Sequence, residues 1–136
     1  MNKKEAVQIL AILKAAYPSS YNGMTKEEAT GTVSVWAMQF EDMPVDIVMM
    51  AIHKLISSSK FPPSVAEVKE KIKSIHWEAY DAITVKKDYL PEETLRKCQM
   101  IYDATQDYRF GNGHEPKVSY MLSGESKLLL GGNNNG

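Results

Sequence analysis

Residues 64–82 read Ser64-Val65-Ala66-Glu67-Val68-Lys69-Glu70-Lys71-Ile72-Lys73-Ser74-Ile75-His76-Trp77-Glu78-Ala79-Tyr80-Asp81-Ala82. Within them Val65, Val68, Ile72, Ile75, Ala79 and Ala82 return at alternating steps of three and four, the spacing of one helix face. Ser64 with Glu67 three residues later is a capping box, in which hydroxyl and carboxylate satisfy free N–H groups at a helix start. The seam passes Trp77 and Tyr80 towards Lys87 before Pro91 breaks it, which predicts a long helix.

The same chemistry repeats on either side. Upstream, Ser57-Ser58-Ser59-Lys60-Phe61-Pro62-Pro63 reads as a rigid connector. Before it, Asp42-Met43-Pro44 opens a helix whose Val45, Val48, Met49, Ile52 and Ile56 share a face. Ile47, Met50 and Ala51 carry apolar surface round most of that cylinder, so this helix is central in a bundle or touches a partner. Thr25 and Glu28 form another capping box, and the helix they start buries Ala29, Val33, Trp36, Ala37 and Phe40, with Gly31 weakening it modestly. At the front, Ala6, Ile9, Leu10, Leu13, Ala16 and Tyr17 line one face, and Pro18 ends that helix. Downstream, Glu92 and Glu93 sit at the positive end of a fifth helix, which buries Leu95, Cys98, Ile101, Tyr102, Thr105 and Tyr108. No strand pattern or internal repeat interrupts the series. The fold class is all-α: a compact bundle of four helices, a fifth C-terminal helix and a flexible tail.

Composition narrows the function. The 136 residues carry 16 basic and 17 acidic side chains, for a net charge of -1. That balance argues against holding nucleic acid by bulk charge. The basic set is almost all Lys, with Arg96 and Arg109 the only arginines, so bidentate phosphate readers are scarce. A single cysteine, Cys98, excludes an intrachain disulfide and a multi-thiolate zinc site and fits a reducing, cytoplasmic setting. No apolar run approaches the ~20 residues of a membrane span. Met1-Asn2-Lys3-Lys4 before an apolar stretch imitates a signal peptide, but Gln8 and Lys14 interrupt it, and it reads as a first helix.

Catalytic groups do not converge. His53, His76 and His114 lack metal-ligand spacing, and His53 and His76 read as surface or core-edge histidines. Cys98 reads as a small hydrophobe. Gly124-Glu125-Ser126-Lys127 reverses the order a phosphate-binding loop needs and follows no strand, so no direct ATP binding is expected. Lys69, Lys71 and Lys73 alternate with Glu67 and Glu70, the pattern of a solvated, salt-bridged face; DNA contact is expected to be weak or indirect. No cofactor and no bound metal are implied.

From Arg109 the character changes. Six of the 8 glycines lie between Gly111 and Gly136, and Asn133-Asn134-Asn135 is low in complexity. Alone, such a tail cannot bury enough apolar surface to offset its ordering entropy. Val118 to Leu122 and Leu128 to Leu130 are apolar islands within it, which read either as segments that order on a partner or as inert tail.

Several of these stretches resemble one family. They are Val7 to Pro18, with Ile9-Leu10-Ala11 and Lys14-Ala15-Ala16-Tyr17-Pro18; Met24 to Ala29; Val35-Trp36-Ala37-Met38-Gln39-Phe40; and Lys60 to Val68. Together, over about residues 1–75, they resemble the phage proteins that load and inhibit the replicative helicase. The resemblance implies a compact helical N-terminal domain, a flexible C-terminal portion, and no ATPase activity. It implies binding to the hexameric DnaB-type helicase in its nucleotide-bound form, and contact with the origin-binding initiator. It also associates the C-terminal part with helicase contact, without a residue-level motif.

These readings divide the chain at 1–88, a helical scaffold, and 89–136, a C-terminal helix with a partner-binding tail. The structural core is expected to include Leu10, Leu13, Tyr17, Val33, Trp36, Phe40, Ile52, Phe61, Val68 and Ile72. The segment from Tyr102 through Leu130 is expected to dock on the helicase, with Tyr102, Tyr108, Phe110, Tyr120, Met121, Leu122 and Leu128 as anchors, since large apolar and aromatic groups dominate interface energetics. Two other classes compete. A small DNA-binding or replication-initiation module predicts salt-sensitive duplex binding. A plain structural protein, oligomeric through the seam of the fourth helix, predicts a concentration-dependent mass.

Overall fold

The structure is a computed structural model, and it describes residues 1–106. Five α-helices follow in order: α1 (Lys3–Ala16), α2 (Lys26–Gln39), α3 (Val45–Ile56), α4 (Val65–Thr84) and α5 (Glu92–Ala104). A short 3-10 turn, Pro18–Tyr21, joins α1 to α2. Among the described residues there is no strand, and no helix is long and apolar enough to cross a membrane.

Three helices start on reciprocal capping boxes. At α4 the Glu67 N–H donates to Ser64 Oγ at 3.1 Å while the Ser64 N–H donates to Glu67 Oε1 at 2.8 Å. Thr25 and Glu28 do the same for α2. Asn2 and Glu5 do it for α1, a box the sequence reading passed over although Asn-x-x-Glu carries the same signal. Each cap contributes on the order of 1 kcal/mol. Pro44 and Pro91 are the N-caps of α3 and α5.

The core forms where four helices meet. Ala6, Ile9 and Leu13 of α1 join Trp36 and Phe40 from the end of α2, Met43, and Ile47, Val48, Ala51 and Ile52 of α3. Val68, Ile72 and Ile75 of α4 complete the cluster. Leu10 is buried at its edge, while Tyr17 and Val33 are half-buried. The buried stripe of α3 is therefore Ile47, Val48, Ala51 and Ile52, with Val45, Met49 and Ile56 at its margins. Burying each large apolar side chain stabilises the fold by roughly 1.5–3 kcal/mol. The packing is serial: α1 lies against α2 and α3, α3 against α4, and α4 against α5.

Three expectations need correction. Phe61 is 69 % exposed and not part of the core. It precedes Pro62, which disfavours helical conformation at Phe61, and Pro63 takes the buried place in the connector. The Lys60 ammonium lies 5.9 Å from the centre of the Phe61 ring. Helix α4 ends at Thr84, where the Val85 and Lys86 N–H groups both donate to Asp81 O, and does not continue to Lys87. His76, read as a core-edge group, is fully buried.

Candidate partner-binding surface

The site is the hairpin that α5 makes with the outer half of α4. His76 and Tyr80 are four positions apart, so one turn of α4 presents both towards α5. From α5, Tyr102 stacks on the His76 ring with centroids 4.7 Å apart and planes 22° apart. Trp77 meets His76 edge-on at 5.1 Å and Tyr80 edge-on at 5.5 Å. Tyr80 lies 5.8 Å from Tyr102, which closes the ring cluster across the two helices. Offset and edge-to-face pairs of this kind contribute about 0.5–1.5 kcal/mol each beyond their burial.

A buried hydrogen bond fixes the end of α5. His76 Nδ1 and Thr105 Oγ1 are 2.8 Å apart, and both residues are fully buried. Thr105 is the C-cap of α5, and its hydroxyl donates to Ile101 O at 2.7 Å. Thr105 Oγ1 thus lies within hydrogen-bonding distance of both Ile101 O and His76 Nδ1. That contact ties the last turn of α5 to the middle of α4.

Of the sequence-predicted anchors, Tyr102 is half-buried in this cluster. Tyr108, Phe110, Tyr120, Met121, Leu122 and Leu128 lie outside the described residues. The sequence reading missed Trp77, Tyr80 and the His76–Thr105 pair as members of one arrangement. The signal was available in part, as aromatic residues one turn apart on α4 with a tyrosine on the returning helix.

A groove of about 840 Å³ runs between the 3-10 turn and α2, lined by Tyr21, Met24, Gly31, Thr32, Val35 and Trp36 among others. Burial pushes the Tyr21 phenol above its ordinary value of 10, and the neighbouring Tyr17 adds to the shift. At its rim, Glu28 accepts from the Thr25 N–H and the Thr32 hydroxyl donates to Glu28 O, so both serve helix α2. Among the described residues no three His, Cys, Asp or Glu side chains could hold a metal ion. Among the described residues, Lys69, Lys71 and Lys73 of α4 make no ion pair, so the salt-bridged face that the sequence suggests does not form there. Glu67 is used in the cap, and Lys69 reaches back to Gln39 Oε1 at 2.7 Å and lies over the Phe40 ring, joining α4 to α2.

Residues 1–69 match the family model for the N-terminal domain of the phage gene 39 protein, a helicase inhibitor and loader. The match spans α1, α2, α3 and the first turn of α4, so the ring cluster lies beyond it. No curated protein and no solved structure matches the chain. With half of its length covered by that model, the chain belongs to the gene 39 protein family of phage helicase loaders and inhibitors.

Proposed function

We propose that the chain is a non-enzymatic adaptor that binds a hexameric DnaB-type replicative helicase, holds it inactive and delivers it to a phage origin through an origin-binding initiator. The match of residues 1–69 to the gene 39 protein domain carries the reading. In this reading residues 1–88 are the scaffold and 89–136 the partner-binding part. Tyr102 supplies the first anchor, and Tyr108, Phe110, Tyr120, Met121, Leu122 and Leu128 supply the rest. A short segment ordering on a large partner covers much surface while keeping affinity reversible. The adaptor works through protein contacts in the bacterial cytoplasm, leaves ATP to the helicase, and touches DNA weakly or indirectly.

Co-purification with the helicase, with and without ATP, tests the reading. A complex that depends on nucleotide, and that is lost when residues 109–136 are deleted, is the expected result. No complex in either nucleotide state would overturn the reading, and a complex that survives the deletion would overturn the anchor assignment.

A further inference from the structure

We propose that the outer face of α2 pairs two copies of this chain in antiparallel fashion. The pairing is independent of the adaptor reading. Helix α2 is apolar on both sides. Trp36, and Phe40 at the C-cap, are buried in the core, whereas Val35 and Met38 are 50 % and 69 % exposed. A helix that is apolar on both sides has a second surface to cover. The groove between the 3-10 turn and α2 opens beside Val35. Gly31, one turn earlier, is also exposed, and an added Cβ there would meet nothing within 4 Å. No packing among the described residues therefore calls for glycine at this place, although glycine weakens a helix. Bare backbone here lets another helix come close.

The order of residues along the face selects a second copy as the occupant. Glu27, Gly31, Val35 and Gln39 follow at steps of four and form one ridge of the helix. The Lys69 ammonium joins the far end of that ridge, donating to Gln39 Oε1 at 2.7 Å. The ridge thus runs from an acidic end to a basic one. Glu27 with Gln39, and Gly31 with Val35, are both centred on Val33. A two-fold axis there sets Val35 of each copy into the space over the partner's Gly31. It also sets Glu27 against the partner's Gln39 and Lys69, with Lys26 at the rim beside the partner's Glu41. Every contact then occurs twice, as a two-fold interface requires. Antiparallel helix dipoles act in the same sense as the charges. The apolar centre supplies affinity, and the charged ends set the register.

The test uses the full chain without other proteins. Sedimentation equilibrium is expected to show a reversible dimer, with a dissociation constant on the order of 10–100 µM because one helix per copy makes a small interface. Gly31→Gln fills the space over the backbone with a side chain that helices tolerate, and Glu27→Lys brings like charges together; each is expected to weaken dimerisation about tenfold or more. Met100→Gln, at an exposed position on α5, is the control and should leave it unchanged. Peroxide oxidation of the wild-type chain is the second measurement and depends on no variant's folding. Met38 oxidation is expected to slow as the concentration rises through the dimerisation range, while Met100 oxidation stays constant. A chain that remains monomeric throughout, or a dimer that both variants leave intact, overturns the proposal. Protection of Met38 that appears only when the helicase is added assigns the face to that partner and overturns self-pairing as well.

Discussion

The bundle body and the α4–α5 hairpin hold their helices by different means. In the body, Phe40, Val48, Ile52, Val68 and Ile72 are all at 0 % exposure, and four helices share them. In the hairpin, α5 itself contributes no fully buried residue. It rests on half-buried Leu95, Cys98, Ile101 and Tyr102, on a ring stack, and on one buried hydrogen bond at its C-cap. Apolar burial is strong but non-directional, whereas a hydrogen bond and a stacked pair fix an angle. The body therefore supplies most of the stability, and the hairpin supplies orientation. An element held this way also opens at lower free energy than the core beneath it.

The contrast can be broken most severely in the body. Phe40→Ala removes a fully buried ring that packs 5.6 Å from Trp36 and beneath Lys69. It should cost about 3–5 kcal/mol in urea denaturation and unfold body and hairpin together. A loss of about 1 kcal/mol or less would mean that α2 is not part of the shared core.

A smaller, local effect is expected in the hairpin. Thr105→Val keeps the shape of the side chain but removes the hydrogen-bond partner of the buried His76 Nδ1. The cost should be roughly 1–3 kcal/mol. Hydrogen exchange should show faster exchange of amides across Glu92–Ala104, while the amides of Val48 and Val68 keep their protection. Equal acceleration at both places would show that the two regions open as one unit.

The smallest change sharpens the comparison from the opposite side. Gly31 lies inside α2, where an added Cβ would meet nothing within 4 Å. Gly31→Ala should raise stability by about 1 kcal/mol through helix propensity alone and leave the local opening of α5 unchanged. A destabilised variant would reveal a backbone constraint in α2.

Much of the body was legible because its signals are local. Thr25 with Glu28 and Ser64 with Glu67 announce helix starts within four residues, and the caps form there. The seam Val65, Val68, Ile72, Ile75, Ala79 and Ala82 is a periodic pattern; five of its six residues are buried and Val65 is half-buried. Legibility failed where a residue's fate depends on neighbours distant in sequence. Phe61 has the composition of a core residue, yet Pro63 occupies the interior. Lys69 has the spacing of a solvated strip, yet Gln39 and the Phe40 ring draw it onto α2. His76 is the clearest case. Its burial depends on Tyr102 and Thr105, 26 and 29 residues away along the chain, meeting it across the hairpin.

The sequence by itself determined the number and type of the elements, the capping boxes read at α2 and α4, and the resemblance over the first half of the chain. These follow from spacings of three and four residues, which one helix turn converts directly into structure. The tertiary structure alone decided which way α5 returns, which rings meet, and that a histidine–threonine hydrogen bond ties the end of α5 to α4. Such facts depend on distances between chain segments, and no local spacing encodes them.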